Sequence, residues 1–245
     1  MNNLFKLLRD SRNGCWIMDY YAGVFGYADD LLLLCPSRSG LQNMLDIAEE
    51  YAKEHKISFS TDVNPTKSKT KGIIFSSKQQ VTDPEPLILN GTPLPWVTSG
   101  KYLGNRMCNI QDGYQQDVRE KRAGYIERNC ELNQEFSFSH PEVKCNINRI
   151  YNSSFSGSCL WDLTGEKSRQ MVNSWSVSVR HMWDLPLSTH RYLLEPLSGV
   201  HAETMIFSRY IKFVQSMRKS SKVAVQCRIQ LVSKDTQTNT GRNIR

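Results

Sequence analysis

The spacing of apolar residues divides the chain into a β-rich first part and a helical second part. Up to about residue 105, short apolar runs alternate with polar turns. From about residue 112, apolar residues recur every three or four positions, as they do in amphipathic helices. Near the C-terminus this periodicity stops. We therefore predict an α+β region at residues 1–105, an all-helical region at residues 106–232 and a disordered tail at residues 233–245.

Two segments of the first part have the apolar spacing of a helix. The first ends near Gly14, and the second covers residues 39–55, where Ser39 and Gln42 form a capping box. The apolar positions are Leu4, Phe5, Leu7 and Leu8 in the first helix, and Leu41, Met44, Leu45, Ala48 and Ala52 in the second.

Short apolar runs in the same part predict antiparallel strands. Residues 15–35 are expected to form a hairpin whose strands, AGVF and LLLLC, meet at the sequence YADD. Residues 57–60 (ISFS) and 72–75 (GIIF) are expected to form two further strands. The dipeptide Asn90-Gly91 lies between apolar flanks, which is a strong signal for another hairpin.

The second part contains three helical patterns. The sequence SHPE, residues 139–142, predicts a capping box at Ser139 with proline in the first helical turn. The apolar positions are Val143, Ile147, Ile150, Tyr151 and Phe155 in the first pattern, Met171, Trp175, Val179 and Met182 in the second, and Met205, Ile206, Tyr210, Phe213, Val214 and Met217 in the third.

Composition does not change the predicted elements, but it restricts the class of protein and its cellular location. Of the 245 residues, 39% are apolar and 22% are charged, as in globular proteins. No apolar run approaches the ~20 residues of a membrane-spanning helix, and no signal-peptide core is present, so we expect an intracellular protein of the nucleus or cytoplasm without membrane contact. Seven scattered cysteines, never spaced C-x-x-C, favour free thiols.

The net charge of +7 is concentrated in the second part. Residues 1–96 carry 10 Lys and Arg against 11 Asp and Glu, whereas residues 97–245 carry 21 against 13. Such an excess suits a polyanionic partner, and on charge alone it suits a lysine-rich solvated surface equally well. The candidates for contacts with a nucleic-acid backbone are Arg119, Lys121, Arg122 and Arg128.

The adjacent carboxylates Asp29 and Asp30 carry the strongest chemical signal. They follow an apolar strand and precede Leu31–Leu34, which we expect to lie deep in the core. A divalent cation would offset the cost of placing two carboxylates beside such strands. Successive side chains of a strand point to opposite faces, so one aspartate is the ligand and the other a helper. The alternative is a polar hairpin turn without chemistry, because Asp is a common turn residue.

Four motifs in order resemble reverse transcriptases, particularly those of non-LTR (LINE-type) retrotransposons. Tyr27-Ala28-Asp29-Asp30 between two strands is similar to the Y-A-D-D signature, and residues 39–55 resemble the palm helix that follows it. NPTKSKTKGIIF is similar to the next motif, with Asn64 and Lys67 at its Asn and Lys positions. SGKYLG, residues 99–104, resembles the hairpin that precedes the thumb.

This resemblance implies a partial polymerase palm, made of antiparallel β-hairpins with packed helices, followed by a thumb-like helical region. It implies Mg²⁺ as the cofactor, and an RNA template and a DNA primer as partners. The implied site residues are Asp29 and Asp30 for catalysis and metal binding, Tyr27, Ala28, Asn64 and Lys67 for the nucleotide, and Lys101, Tyr102, Leu103 and Gly104 for the primer. Taken alone, Lys67 is more typical of a solvated loop, and residues 101–104 of a strand end with a turn glycine.

The family has a second essential aspartate on an upstream strand, and this chain offers no match for it. Asp10 is expected to end a helix and Asp19 to lie in a short hairpin loop. The fingers and half of the palm are therefore expected to be missing, as in a 5′-truncated element or a partial gene product. Because two bridged ions need carboxylates from more than one element, we expect the chain to be inactive by itself, unless an upstream polymerase half partners it.

Two alternatives stay open at this point. One is a non-catalytic nucleic-acid-binding module that uses the basic second part. The other is a chain that does not fold stably, because half a palm exposes sheet edges and an uncovered core.

Overall fold

A computed structural model describes residues 2–76, 85–109, 114–153, 155–222 and 225–226 of the protein. The chain forms two compact units, Met1–Gln111 and Asp112–Arg245. The predicted tail, residues 233–245, lies outside the described residues. The boundary between the units lies later in the chain than the predicted boundary at residue 105. The reason is that the strand Asn105–Cys108 pairs with the strand Ser99–Tyr102 of the first unit.

The first unit is α+β, as predicted, and its strands form antiparallel pairs. Its helices are α1 (Asn2–Asp10) and α2 (Arg38–Glu54). Its strands are β1 (Trp16–Ile17), β2 (Tyr20–Tyr21), β3 (Val24–Tyr27), β4 (Asp30–Leu33), β5 (Leu87–Leu89), β6 (Thr92–Leu94), β7 (Ser99–Tyr102) and β8 (Asn105–Cys108). Each strand pairs with its neighbour along the chain, so every sheet is a two-stranded hairpin among the described residues.

The predicted hairpin within residues 15–35 is present as β3 and β4. One face packs against α1 and α2, where Leu4, Leu8 and Met44 are buried. Gly26 lets the Phe5 ring pack closely on this face, because a Cβ there would lie 2.5 Å from Cζ of Phe5 and the ring would have to shift. Leu31–Leu34 are half-buried and not deep in the core as expected, since helices cover only one face of the two-stranded sheet.

Side chains of α2 hold the second predicted hairpin, β5–β6. Gln42 donates from Nε2 to the carbonyl oxygen of Ile88 at 2.8 Å and accepts at Oε1 from the amide of Ile88, also at 2.8 Å. Oε2 of Glu49 accepts from the amide of Asn90 at 2.9 Å. The turn residues Asn90 and Gly91 both have positive φ, as a two-residue hairpin turn requires. The predicted Asn-Gly hairpin is therefore confirmed.

The prediction of strands at residues 57–60 and 72–75 is wrong. The carbonyl oxygen of Ser60 accepts from Oγ1 of Thr70 at 2.9 Å and from its amide at 3.3 Å, so the intervening loop closes on itself. Gly72 forms one isolated parallel bridge with Trp96. Local bonds from hydroxyl side chains satisfy the backbone here, and a strand ladder is not needed.

The second unit is helical, as predicted. Its α-helices are α3 (Tyr114–Glu135), α4 (Pro141–Ile147), α5 (Glu166–Met182), α6 (Leu194–Ser198) and α7 (Ala202–Lys219). A π-turn (Asn148–Asn152) and two 3₁₀ turns (Ser158–Leu160 and Arg191–Leu193) connect them. Trp161, Trp175 and Tyr125 are almost fully buried in the core of this unit.

The apolar stripe predicted at residues 143–155 is interrupted. The helix α4 ends at Ile147, and the following π-turn is closed by a bond from the amide of Ser153 to the carbonyl oxygen of Asn148 at 2.9 Å. The buried positions of this segment are Cys145, Asn148 and Asn152, whereas Val143, Ile150 and Tyr151 are exposed, so the inward face is not the apolar stripe that the sequence predicts. The pattern predicted one continuous helix because apolar spacing does not reveal a π-turn.

Two predicted helix caps are displaced by one or two residues. Ser37 and not Ser39 caps α2, with its Oγ accepting from the amide of Gly40 at 3.2 Å. His140 and not Ser139 caps α4, with Nδ1 accepting from the amide of Glu142 at 3.4 Å. In both cases the capping residue lies immediately before the helix with the non-helical backbone that a cap needs.

In the part of the chain that the structure describes, no helix has the combination of length and apolar content required to cross a membrane.

Candidate functional site

The aspartate pair lies at the tip of the β3–β4 hairpin. Tyr27 pairs with Asp30, so Ala28 and Asp29 form a two-residue turn. Ala28 has a φ of 53°, in the left-handed region that a residue with a Cβ rarely adopts. Both carboxylates are exposed to solvent. The hairpin thus holds one carboxylate in a short, strained turn and a second at the start of β4, where a cation can approach both.

The two faces of the hairpin differ in chemistry. Val24, Leu31 and Leu33 pack against the helices, whereas the alternate residues point away from them. In register, Phe25 pairs with Leu32 and Tyr27 with Asp30, and both aromatic side chains are exposed. The predicted nucleotide residue Tyr27 therefore lies beside Asp30 on the outer face, and Ala28 lies in the turn.

Tyr102, which belongs to the SGKYLG motif, is influenced electrostatically by the β3–β4 hairpin. It ends β7, and Leu103 and Gly104 form a two-residue turn with φ angles of 47° and 76°. Burial raises the pKa of the Tyr102 phenol, and the negative charge of Asp30 raises it further. The fold therefore brings Tyr102 and Asp30 close enough for their charges to interact, although they are far apart in the sequence. Lys101 is exposed on the same strand.

The carboxylate tip fits one magnesium ion better than two. Mg²⁺ commonly binds one or two protein carboxylates and completes its shell with water and substrate phosphates, and exposed Asp29 and Asp30 leave room for both. Among the described residues, no group of three or more His, Cys, Asp or Glu side chains converges as a metal site. A second bridged ion would therefore need a carboxylate from elsewhere.

Asn64 and Lys67 lie in a compact loop. Oδ1 of Asn64 accepts from the amide and the hydroxyl of Thr66 at 3.0 and 2.8 Å, and its carbonyl oxygen accepts from the amide of Lys67 at 3.0 Å. The Asn64 side chain therefore shapes the turn. Lys67 is exposed, and its predicted contact with nucleotide phosphates stays a prediction.

The four basic residues proposed for a nucleic-acid backbone differ in their surroundings. Lys121 donates to Oδ2 of Asp117 at 2.8 Å, and Arg122 donates from Nε to Oγ of Ser174 at 2.7 Å. Arg128 is exposed, and its Nε donates to Oδ1 of Asn152 at 3.2 Å. Arg119 is exposed. Contact with a phosphate would require Lys121 and Arg122 to exchange partners within the unit, whereas Arg119 is accessible as it stands.

The sequence analysis missed the cluster formed by Asp117, Lys121 and Trp161. Oδ2 of the buried Asp117 accepts from Nε1 of Trp161 at 3.0 Å as well as from Lys121, whose ammonium lies 5.9 Å from the indole centroid. The spacing Asp117-x-x-x-Lys121 is typical of a pair on one helical face, which is the signal that was available. Nothing in the sequence indicated that Trp161, from another element, would share the same carboxylate.

No protein-family model matches the chain, and comparison with curated proteins and with solved structures found no match. The resemblance to reverse transcriptases therefore depends on the four sequence motifs.

Proposed function

We propose that the first unit is part of the palm of an RNA-directed DNA polymerase of the non-LTR retrotransposon type. The observation that carries the proposal is the β3–β4 tip, where exposed Asp29 lies in the two-residue turn and exposed Asp30 follows it as the first residue of β4. The charge of Asp30 also helps to raise the pKa of the Tyr102 phenol, so these two motifs of the resemblance lie within electrostatic range of each other.

In this proposal the residues of the tip have separate tasks. Asp29 and Asp30 would hold Mg²⁺, and the ion would supply charge neutralisation for nucleotide phosphates. Tyr27 and Ala28 lie against the nucleotide, and Lys101 and Tyr102 lie along the primer strand. A tyrosine phenol is protonated near neutral pH, and burial together with the charge of Asp30 raises the pKa of Tyr102 further, so its hydroxyl can donate a hydrogen bond.

The described residues supply only part of a two-ion site. No third carboxylate converges with Asp29 and Asp30 among them, so the second ion lacks its bridging ligand. We therefore propose that the chain by itself does not extend a primer, and that activity needs a carboxylate-bearing partner segment.

The test is primer extension on an RNA template with Mg²⁺, using the purified chain alone and after addition of the fingers and upstream palm of a non-LTR reverse transcriptase. The proposal predicts extension only in the mixture, and its loss with Asp29→Asn.

Asp19→Asn is the matched control, because Asp19 is also an exposed aspartate in a two-residue hairpin turn. It is expected to leave extension unchanged. Extension by the chain alone would overturn the proposed inactivity, and equal effects of the two substitutions would overturn the assignment of Asp29.

The second candidate function is non-catalytic binding of nucleic acid by the second unit. The excess of basic over acidic residues after residue 97 favours it. A filter-binding titration at increasing salt tests it, since phosphate contacts predict a linear fall of log K with log salt. Affinity that does not change with salt would remove this candidate.

A further inference from the structure

A small cavity in the second unit combines apolar walls with a polar, cationic rim. Its volume is about 120 Å³, and it lies between α5, α7 and the 3₁₀ turn at Arg191–Leu193. Leu163, Val172, Ile206 and Phe207 form the apolar walls. Phe207 lines the cavity and remains 43% exposed to solvent.

The rim contributes groups that are available to a ligand. Arg169 and Asn173, one turn apart on α5, are exposed, and neither has a side-chain hydrogen bond or ion pair with another described residue. Arg191 makes one long ion pair with Glu203, 3.6 Å between Nη2 and Oε2, with both side chains about half exposed. An exposed pair of this kind is weak, so the Arg191 guanidinium can turn to an incoming anion.

These groups define the chemistry of the ligand. The space is close to that of a cavity that holds one benzene ring, which is about 150 Å³. An exposed phenylalanine ring provides a surface for stacking, and the Asn173 amide can both donate to and accept from a polar ring edge. Two guanidinium groups against one carboxylate favour an anion attached to that ring.

We propose that this cavity receives one base of a single-stranded nucleic acid, with the adjacent phosphate on Arg169 and Arg191. The base stacks on Phe207 and its polar edge meets Asn173. The basic excess of the second part draws the polyanion toward this unit. The residues of the cavity indicate a ligand that carries both an aromatic ring and an anionic group. That this ligand is a nucleic acid, and not another aromatic anion, rests on the proposed function.

The test compares two fluorescein-labelled oligonucleotides of equal length by fluorescence anisotropy with the full chain, one a thymidine 12-mer and the other an abasic 12-mer. The measurement is made at about 50 mM salt with EDTA, so that the carboxylate tip and Mg²⁺ do not contribute. We expect the base-containing strand to bind about tenfold more tightly, as stacking of one base provides.

Phe207→Ala is expected to abolish this preference while the abasic strand binds as before. Phe207→Trp is expected to retain it, and Arg169→Gln to weaken both strands. The matched control is Ile211→Ala, which removes an exposed apolar side chain one turn further along α7, outside the cavity. It should leave the preference intact.

Equal affinity of the wild-type chain for the two strands would overturn the inference, as would equal effects of Phe207→Ala and Ile211→Ala. Because EDTA removes Mg²⁺, this binding assay does not depend on metal binding at the carboxylate tip. Failure of the proposed polymerase function, which is measured by primer extension, is therefore distinguishable from failure of the base-binding cavity.

Discussion

The substitution Lys121→Gln separates a structural role of this lysine from a role in nucleic-acid binding. The side chain of Asp117 is 9% exposed, and that of Lys121 is 19% exposed, with 2.8 Å between Nζ and Oδ2. Removing one partner of a buried ion pair costs about 3–5 kcal/mol. Water reaches Lys121, and the glutamine amide replaces part of the interaction, so we expect a loss of about 2 kcal/mol.

For a unit of this size, about 2 kcal/mol lowers Tm by roughly 6–10 °C. The measurement is urea unfolding followed by tryptophan fluorescence, because Trp161, Trp175 and Trp183 all report on the second unit. The matched control is Arg119→Gln on the same helix. Arg119 is exposed, so this variant is expected to change stability by less than about 0.5 kcal/mol.

The reasoning would be refuted if Lys121→Gln unfolded at the same urea concentration as Arg119→Gln. Should Lys121→Gln also weaken nucleic-acid binding more than Arg119→Gln does, then Lys121 faces phosphates as the sequence predicts, and the bond to Asp117 is not its principal role.

Three further predictions concern the hairpin tip and one helix cap. Ala28→Gly should stabilise the chain by about 0.5–1 kcal/mol in urea unfolding, because glycine adopts positive φ without strain. Gly26→Ala should cost about 1–3 kcal/mol in the same assay, since the new Cβ meets Phe5 at 2.5 Å. Burial lowers the pKa of His201, whose Nδ1 accepts from the amide of Glu203 at 3.2 Å. As the pH falls, the unfolded chain therefore binds a proton at His201 before the folded chain does. The urea midpoint should fall as the pH drops below about 6.5.

Each of these predictions has a control. Ala123→Gly, on the exposed surface of α3, should destabilise by about 1 kcal/mol, opposite in sign to Ala28→Gly. Phe5→Leu should recover part of the loss caused by Gly26→Ala. His201→Asn keeps a capping side chain without titrating, so it should flatten the dependence of the midpoint on pH. A stability change of the opposite sign in any of these variants would contradict the structural feature on which that prediction depends.

Turn chemistry made the hairpins predictable from sequence. Asn90-Gly91 and the short apolar runs around Asp29-Asp30 specify strand pairing within a few residues, so local rules suffice. The strands expected at residues 57–60 and 72–75 have similar apolar content. There, hydroxyl side chains and the packing of Trp96 over Gly72 determine the backbone, and these are tertiary effects.

The candidate site was predictable only in its parts. The sequence singles out Asp30 and Tyr102, but the electrostatic influence of Asp30 on the Tyr102 phenol follows from how two separate hairpins are placed. Likewise, the positive charges of Lys121 and Arg122 suggest contacts with phosphates. Only the fold reveals that Lys121 bonds to Asp117 and that Arg122 bonds to Ser174. Charge indicates which residues are able to bind an anion, whereas packing decides which of them remain accessible.

The most direct test of a cation site at the β3–β4 tip is NMR with substoichiometric Mn²⁺, which broadens the signals of nearby nuclei. The account predicts selective, saturable broadening of the amides of residues 27–31 and of Tyr102, loss of that broadening with Asp29→Asn plus Asp30→Asn, and its retention with Asp19→Asn. Broadening spread evenly over exposed carboxylates, or absent at Tyr102, would contradict it.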